Sequence, residues 1–167
     1  MRTQALKPDA MELVLHLLTY ENELAARVAL QYGLRIGDVL RLTAKSLEHT
    51  QVTIKEEKTG KRRRIVWTEQ LRAALLRQCG KIYIFEHRTD QHKHRTRQAV
   101  YKDIRRAAQL LHVAGCVGTH TLRKSFAVHK YKACGDMRKV KAVLQHSDEA
   151  VTQLYALASE ADWRYPD

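Results

Sequence analysis

Proline is almost missing from this 167-residue chain: only Pro8 and Pro166 occur. No proline-rich linker divides the sequence, and no low-complexity segment or internal repeat interrupts it, so one domain with a sizeable core is expected. Cysteine is scarce as well. Cys79, Cys116 and Cys134 are odd in number, widely spaced and form no CxxC pair, which argues against a disulfide framework or a cysteine-rich zinc site. They read as reduced thiols. No apolar run approaches the ~20 residues of a membrane span, and the opening Met-Arg-Thr-Gln has no apolar signal-peptide segment. Acidic residues are outnumbered: 18 Asp and Glu stand against 30 Lys and Arg, a net charge of +12. Such an excess favours a polyanionic partner, because each neutralised phosphate releases counterions.

The patterning is mainly helical. Pro8 and Asp9 mark a helix start, with Met11, Val14, Leu15 and Leu18 as its apolar face. A second helix covers 21–32 with Leu24, Val28 and Tyr32 on one side, and Gly33 stops it. Arg35 then falls in the turn before a short helix carrying Val39, Leu40 and Leu42. Residues 51–55 and 61–67 alternate as strands around Lys58-Thr59-Gly60-Lys61, a hairpin with a glycine turn. Thr68 is placed to cap the next helix, whose face is Leu71, Leu75 and Cys79. Ile82 to Phe85 is too short to classify, and 86–98 reads as an exposed polar loop. Thr96 is placed to cap a helix with Val100, Ile104, Ala108 and Leu111. Three more helices follow, marked by Leu122, Phe126 and the Lys130 stem, by Met137, Val140 and Leu144, and by Val151, Leu154 and Ala158. The expected fold class is mainly α with a small antiparallel β-sheet (α+β).

One spaced set of side chains carries phosphate chemistry. It runs from Arg35 through His120-x-x-Arg123 to His146 and Tyr155. Arginine binds phosphate through paired hydrogen bonds, histidine moves protons near neutral pH, and tyrosine can be a covalent nucleophile. The spacing of three puts His120 and Arg123 on one helix face while Leu122 turns to the core. His146 and Tyr155 are nine residues apart, roughly 2.5 turns, which in one helix would put them on opposite faces. Ser147 or Asp148 looks like a new helix start, so His146 is expected to end one helix and Tyr155 to lie within the next. Each motif alone also fits a surface His-Arg pair, a turn lysine or a core tyrosine.

Taken in order, these boxes resemble the catalytic domain of the tyrosine recombinases, the phage-integrase family, over nearly the whole chain. Gly33-Leu34-Arg35-Ile36-Gly37-Asp38 resembles the first arginine box, Lys58-Thr59-Gly60-Lys61 the lysine hairpin, and His120-Thr121-Leu122-Arg123 the second box. Leu144-Gln145-His146-Ser147 through Tyr155 resembles the last, with Gln145 where the family has glycine. The resemblance implies a tyrosine-recombinase catalytic-domain fold and a site-specific recombinase acting through a 3′-phosphotyrosine. Arg35, Lys58, His120, Arg123, His146 and Tyr155 would be catalytic, with no metal and no cofactor. Lys61, Arg62, Arg63, Arg64 and Lys124 are candidate phosphate contacts. The implied partner is double-stranded DNA, bound as a tetramer, with a monomer possible off DNA and accessory proteins unspecified. The implied setting is the cytoplasm, on the nucleoid, of a prokaryote or virus-infected cell.

The family places a helical DNA-binding domain before the catalytic one. Here a helix starts close to Met1, so 1–167 is expected to be one catalytic domain without it, either as a fragment or as a compact recombinase. Residues 159–167 form a short tail, in which Trp163 docks on a neighbouring protomer or folds back in cis. Other readings are a type IB topoisomerase, a catalytically silent DNA-binding protein of the same fold, and a metal nuclease using His87, His92 and His94. Tyr165 is a distant second as nucleophile.

Overall fold

The structure is a computed structural model in which residues 4–144 are described. Helix α1 spans Pro8–His16, α2 Tyr20–Tyr32 and α3 Ile36–Leu40; a 3-10 turn, Ala44–Leu47, leads into strands β1 (Gln51–Lys55) and β2 (Arg62–Val66). Helices α4 (Glu69–Gln78), α5 (Arg97–Leu110), α6 (Thr119–Cys134) and α7 (Met137–Leu144) follow. The strands pair antiparallel, with Val52 opposite Ile65 and Ile54 opposite Arg63. The mainly α fold with a small antiparallel sheet is as the patterning implies.

The apolar faces read from periodicity are the buried ones. Met11, Val14 and Leu15 of α1, Leu24 and Val28 of α2, Leu75 of α4, and Val100 and Ile104 of α5 enter one core. Helix α6 is deeply buried, with Leu122, Arg123, Lys124, Ser125, Ala127 and Val128 all inside; Leu122 joins this core, while Ala127 and Val128 form a second, smaller one with Val140 and Leu144 of α7. It packs against α2, α5 and α7. Lys130 is exposed, so its stem takes no part in the inner face. Gly33 ends α2 with φ 62°, and a Cβ there would collide with the Phe126 ring. That close approach and the left-handed backbone both require glycine.

One local reading needs correction, and two stretches gain detail. Thr68 stands at the N-cap of α4, but its side chain makes no capping bond, whereas Thr96 accepts from the Ala99 N–H at 3.2 Å. Ile82 to Phe85 is a buried crossing: Ile84 and Phe85 are 0% and 1% exposed, and Ile84 N–H donates to Leu42 O at 2.9 Å. The 86–98 stretch is largely exposed, as expected, and is tied back to the protein by its backbone. His87 N–H donates to Lys93 O at 2.8 Å and Arg95 N–H to Phe85 O at 2.7 Å, while half-buried His94 stacks edge-on against Tyr83. The helix expected from Val151, Leu154 and Ala158 lies outside the described residues.

Candidate active site

Arg35 is aimed by its neighbours. After the left-handed turn at Gly33 the chain runs extended, and Arg35 holds φ −70° and ψ 139° as the N-cap of α3. Leu34 and Ile36 are buried in the core at 1% and 5% exposure. Alternation of the extended backbone therefore sends Arg35 the other way. It faces a cavity of about 450 Å³ whose lining includes Arg35, Lys58, Arg97, His120 and Arg123. His120 lies in the first turn of α6 and Arg97 begins α5. These helix starts carry partial positive charge from unpaired backbone N–H groups, so backbone and side chains favour an anion in the same space.

The floor beneath this cavity is built from buried ions. Arg123, 2% exposed, donates from Nη1 to Gly33 O at 2.5 Å and from Nη2 to Leu144 O at 3.0 Å. It thus ties the end of α2 to the end of α7. Arg63 points inward from β2 and donates to Tyr32 O and Gly33 O. Burial pulls the Arg63 pKa below the ordinary arginine value; Glu56 opposes the shift and Arg123 adds to it. Glu56 is fully buried, and its Oε2 accepts from Arg35 Nη1 at 2.5 Å. Asp38, 3% exposed, accepts from Arg41 at 2.5 Å and from the Glu57 N–H at 3.0 Å. Two acidic contacts therefore latch the hairpin onto the start of α3, directly before Lys58.

Arg35, Lys58, His120 and Arg123, all singled out from sequence, share one cavity. Lys58 and His120 are exposed on it, Arg35 is half-buried and Arg123 is buried. His146 and Tyr155 lie outside the described residues. Among the proposed phosphate contacts, Lys61, Arg62 and Arg64 are exposed on the hairpin, Arg63 is turned into the protein, and Lys124 is 4% exposed within α6. The alternative nuclease histidines have separate neighbours: His87 Nδ1 lies by Thr89, and His94 Nδ1 is 2.8 Å from Arg95 O. Among the described residues no group of three or more His, Cys, Asp or Glu side chains is placed to hold a metal. Sequence reasoning missed Arg97 and Glu56. Glu56 had a signal: positions 52, 54 and 56 continue the inward alternation of β1, so a carboxylate was due to face the interior.

A helical domain with a small sheet carries a cavity lined by three arginines, a lysine and a histidine, beside Asp38 and Glu57, and this basic excess suits an anionic ligand. The family model for the phage integrase family matches residues 4–161, and the chain belongs to that family. It is 33% identical to a probable integrase/recombinase, YoeC, of Bacillus subtilis, over 74% of this chain and 70% of that protein. It is 27% identical to the tyrosine recombinase XerD of Staphylococcus saprophyticus, over 94% of this chain and 60% of XerD. A lambda integrase dimer bound to a COC′ core site shares the fold, with a TM-score of 0.72 at 17% identity over 100% of this chain and 51% of that one. The chain thus spans only part of the length of these relatives. Its fold is that of the tyrosine-recombinase catalytic domain.

Proposed function

We propose that this chain is the catalytic domain of a site-specific DNA recombinase that cuts and rejoins strands through a covalent 3′-phosphotyrosine. The observation that carries this reading is the convergence of Arg35, Lys58, His120 and Arg123, distant in sequence, on one cavity. Tyr155 attacks the phosphorus of a backbone phosphodiester. Its phenolic oxygen bonds to phosphorus as the bond to the 5′-oxygen breaks. A free phenol has a pKa of about 10, so its proton must leave as attack proceeds, and His120 accepts it. Arg35 and Arg123 hold the non-bridging oxygens, where charge grows in the five-coordinate transition state. His146 donates a further hydrogen bond to them. Lys58 gives a proton to the departing 5′-oxygen.

The phosphotyrosine conserves the broken bond, so resealing needs no metal or nucleotide. Attack by the original 5′-hydroxyl restores the strand, and attack by one from a second duplex recombines it. Strand exchange then takes place within a tetramer on double-stranded DNA. A nicked suicide duplex tests the proposal. Wild-type protein is expected to form a covalent protein–DNA band on a denaturing gel, in the presence of chelator, and Tyr155→Phe to form none. Chelator-sensitive cutting without an adduct would sink it.

A further inference from the structure

Glu56 is a fully buried carboxylate, and the reaction above makes no use of it. Its carboxylate is 0% exposed, and a buried charge survives only when paired and hydrogen-bonded. Oε2 is paired with Arg35 at 2.5 Å and lies 3.4 Å from the Thr59 hydroxyl. Oε1 is buried without a hydrogen-bond partner among the described residues. An arrangement this costly calls for an explanation in function.

The backbone explains how the carboxylate is fixed. Glu56 N–H donates to Lys61 O at 2.9 Å, and Glu56 O accepts from Gly60 N–H at 2.8 Å. The residue is therefore clamped at both peptide groups across the turn that holds Lys58. A guanidinium is a rigid plane, so fixing the edge that carries Nη1 fixes the direction of its remaining donors. Arg35 itself is part of the cavity lining. The same carboxylate also acts on Arg63, where it opposes the effects of burial and of Arg123.

We infer that Glu56 is a positioning residue for the strand-cleavage reaction: it sets the plane of Arg35 and registers it against the hairpin that carries Lys58. The inference rests on the recombinase reading. Glu56 touches no substrate and acts through Arg35. Being negative, it contributes nothing to holding DNA and slightly opposes the incoming phosphate.

The test compares Glu56→Gln with wild type on the suicide duplex, measuring DNA affinity and the rate of adduct formation at saturating DNA. The expected split is a rate lowered tenfold or more with the Kd for DNA unchanged or reduced. Adduct accumulates irreversibly on such a substrate, so slow rates remain readable in an Arg35→Ala background. There Glu56→Gln is expected to change the rate less than twofold. The same loss factor in both backgrounds, or a single-variant rate within twofold of wild type, overturns the inference. Should Glu56→Gln fold poorly, Glu56→Asp serves instead. It keeps the charge one methylene short of Arg35, and its smaller loss must likewise vanish with Arg35→Ala. An independent readout is the Arg35 guanidinium NMR signal. It is expected to be protected from exchange in wild type and broadened in Glu56→Gln, and equal signals overturn the inference. If wild type forms no adduct, the recombinase reading fails, while this signal still decides whether Glu56 orders Arg35.

Discussion

Arg63 and Arg64 are neighbours on β2, yet they belong to different regions of the protein. Arg63 is turned inward onto the carbonyls that end α2, near Arg123 and Glu56. Arg62 and Arg64, one step away on either side, are exposed with Lys61 on the outer hairpin. Net charge counts all of these alike. Physically they divide into a floor, where each cation is turned inward onto backbone or buried acceptors, and a rim, where cations are exposed and act by number. A floor residue should be irreplaceable even by another cation, whereas a rim residue should be exchangeable.

The sharpest way to break this comparison is Arg123→Lys. The charge stays, but a point-like ammonium cannot hold the Gly33 and Leu144 carbonyls and a phosphate together. Single-turnover adduct formation is expected to fall roughly 100- to 1,000-fold, with a lower melting temperature. Near-normal cleavage would mean that direction does not matter on the floor. Lys58→Ala comes next, with an expected loss of about 100-fold. Replacing the bridging 5′-oxygen of the DNA by sulfur should restore most of that rate, because a thiolate departs without a proton. A variant equally slow on both substrates would remove Lys58 from the leaving-group step. The smallest effects lie along β2. Arg63→Ala should cost about 1–3 kcal/mol of stability as the Tyr32 carbonyl loses its side-chain donor and the Gly33 carbonyl is left with Arg123. Arg62→Ala and Arg64→Ala should stay within about 0.5 kcal/mol of wild type. Each should nonetheless make DNA binding less sensitive to salt, by about one unit of slope for every phosphate that goes unneutralised. Denaturant melts and salt titrations read both, and equal destabilisation along the strand would erase the distinction.

The faces of α1, α2, α4 and α5 were legible in the sequence because a single apolar period decides them. The Gly33 stop was legible for a related reason, since only glycine suits that backbone. The floor was not legible. Periodicity places Arg63 on a strand but does not name the α2 carbonyls it meets. Helical spacing likewise leaves Arg123 a surface cation, although packing between α2, α5 and α7 buries it. Thr68 and Thr96 look alike in sequence, and only geometry separates the cap that bonds from the one that does not. The crossing at Ile82 to Phe85 was hidden because its pairing with Leu42 and Ala44 is distant along the chain. Residues His146 and Tyr155 rest on their sequence boxes alone.

The Gly33 carbonyl has one more consequence. Its acceptor role joins residues 90 positions apart in the case of Arg123 and 30 in the case of Arg63. Contacts of such long sequence separation pay their loop-closure entropy late in folding. Helices α1 and α2 can form early from local contacts, but the floor cannot assemble until β2 and α6 have been made and docked. On the recombinase reading, a partly folded copy would carry the charge that attracts DNA before it has the cavity in which Arg35 and Arg123 converge.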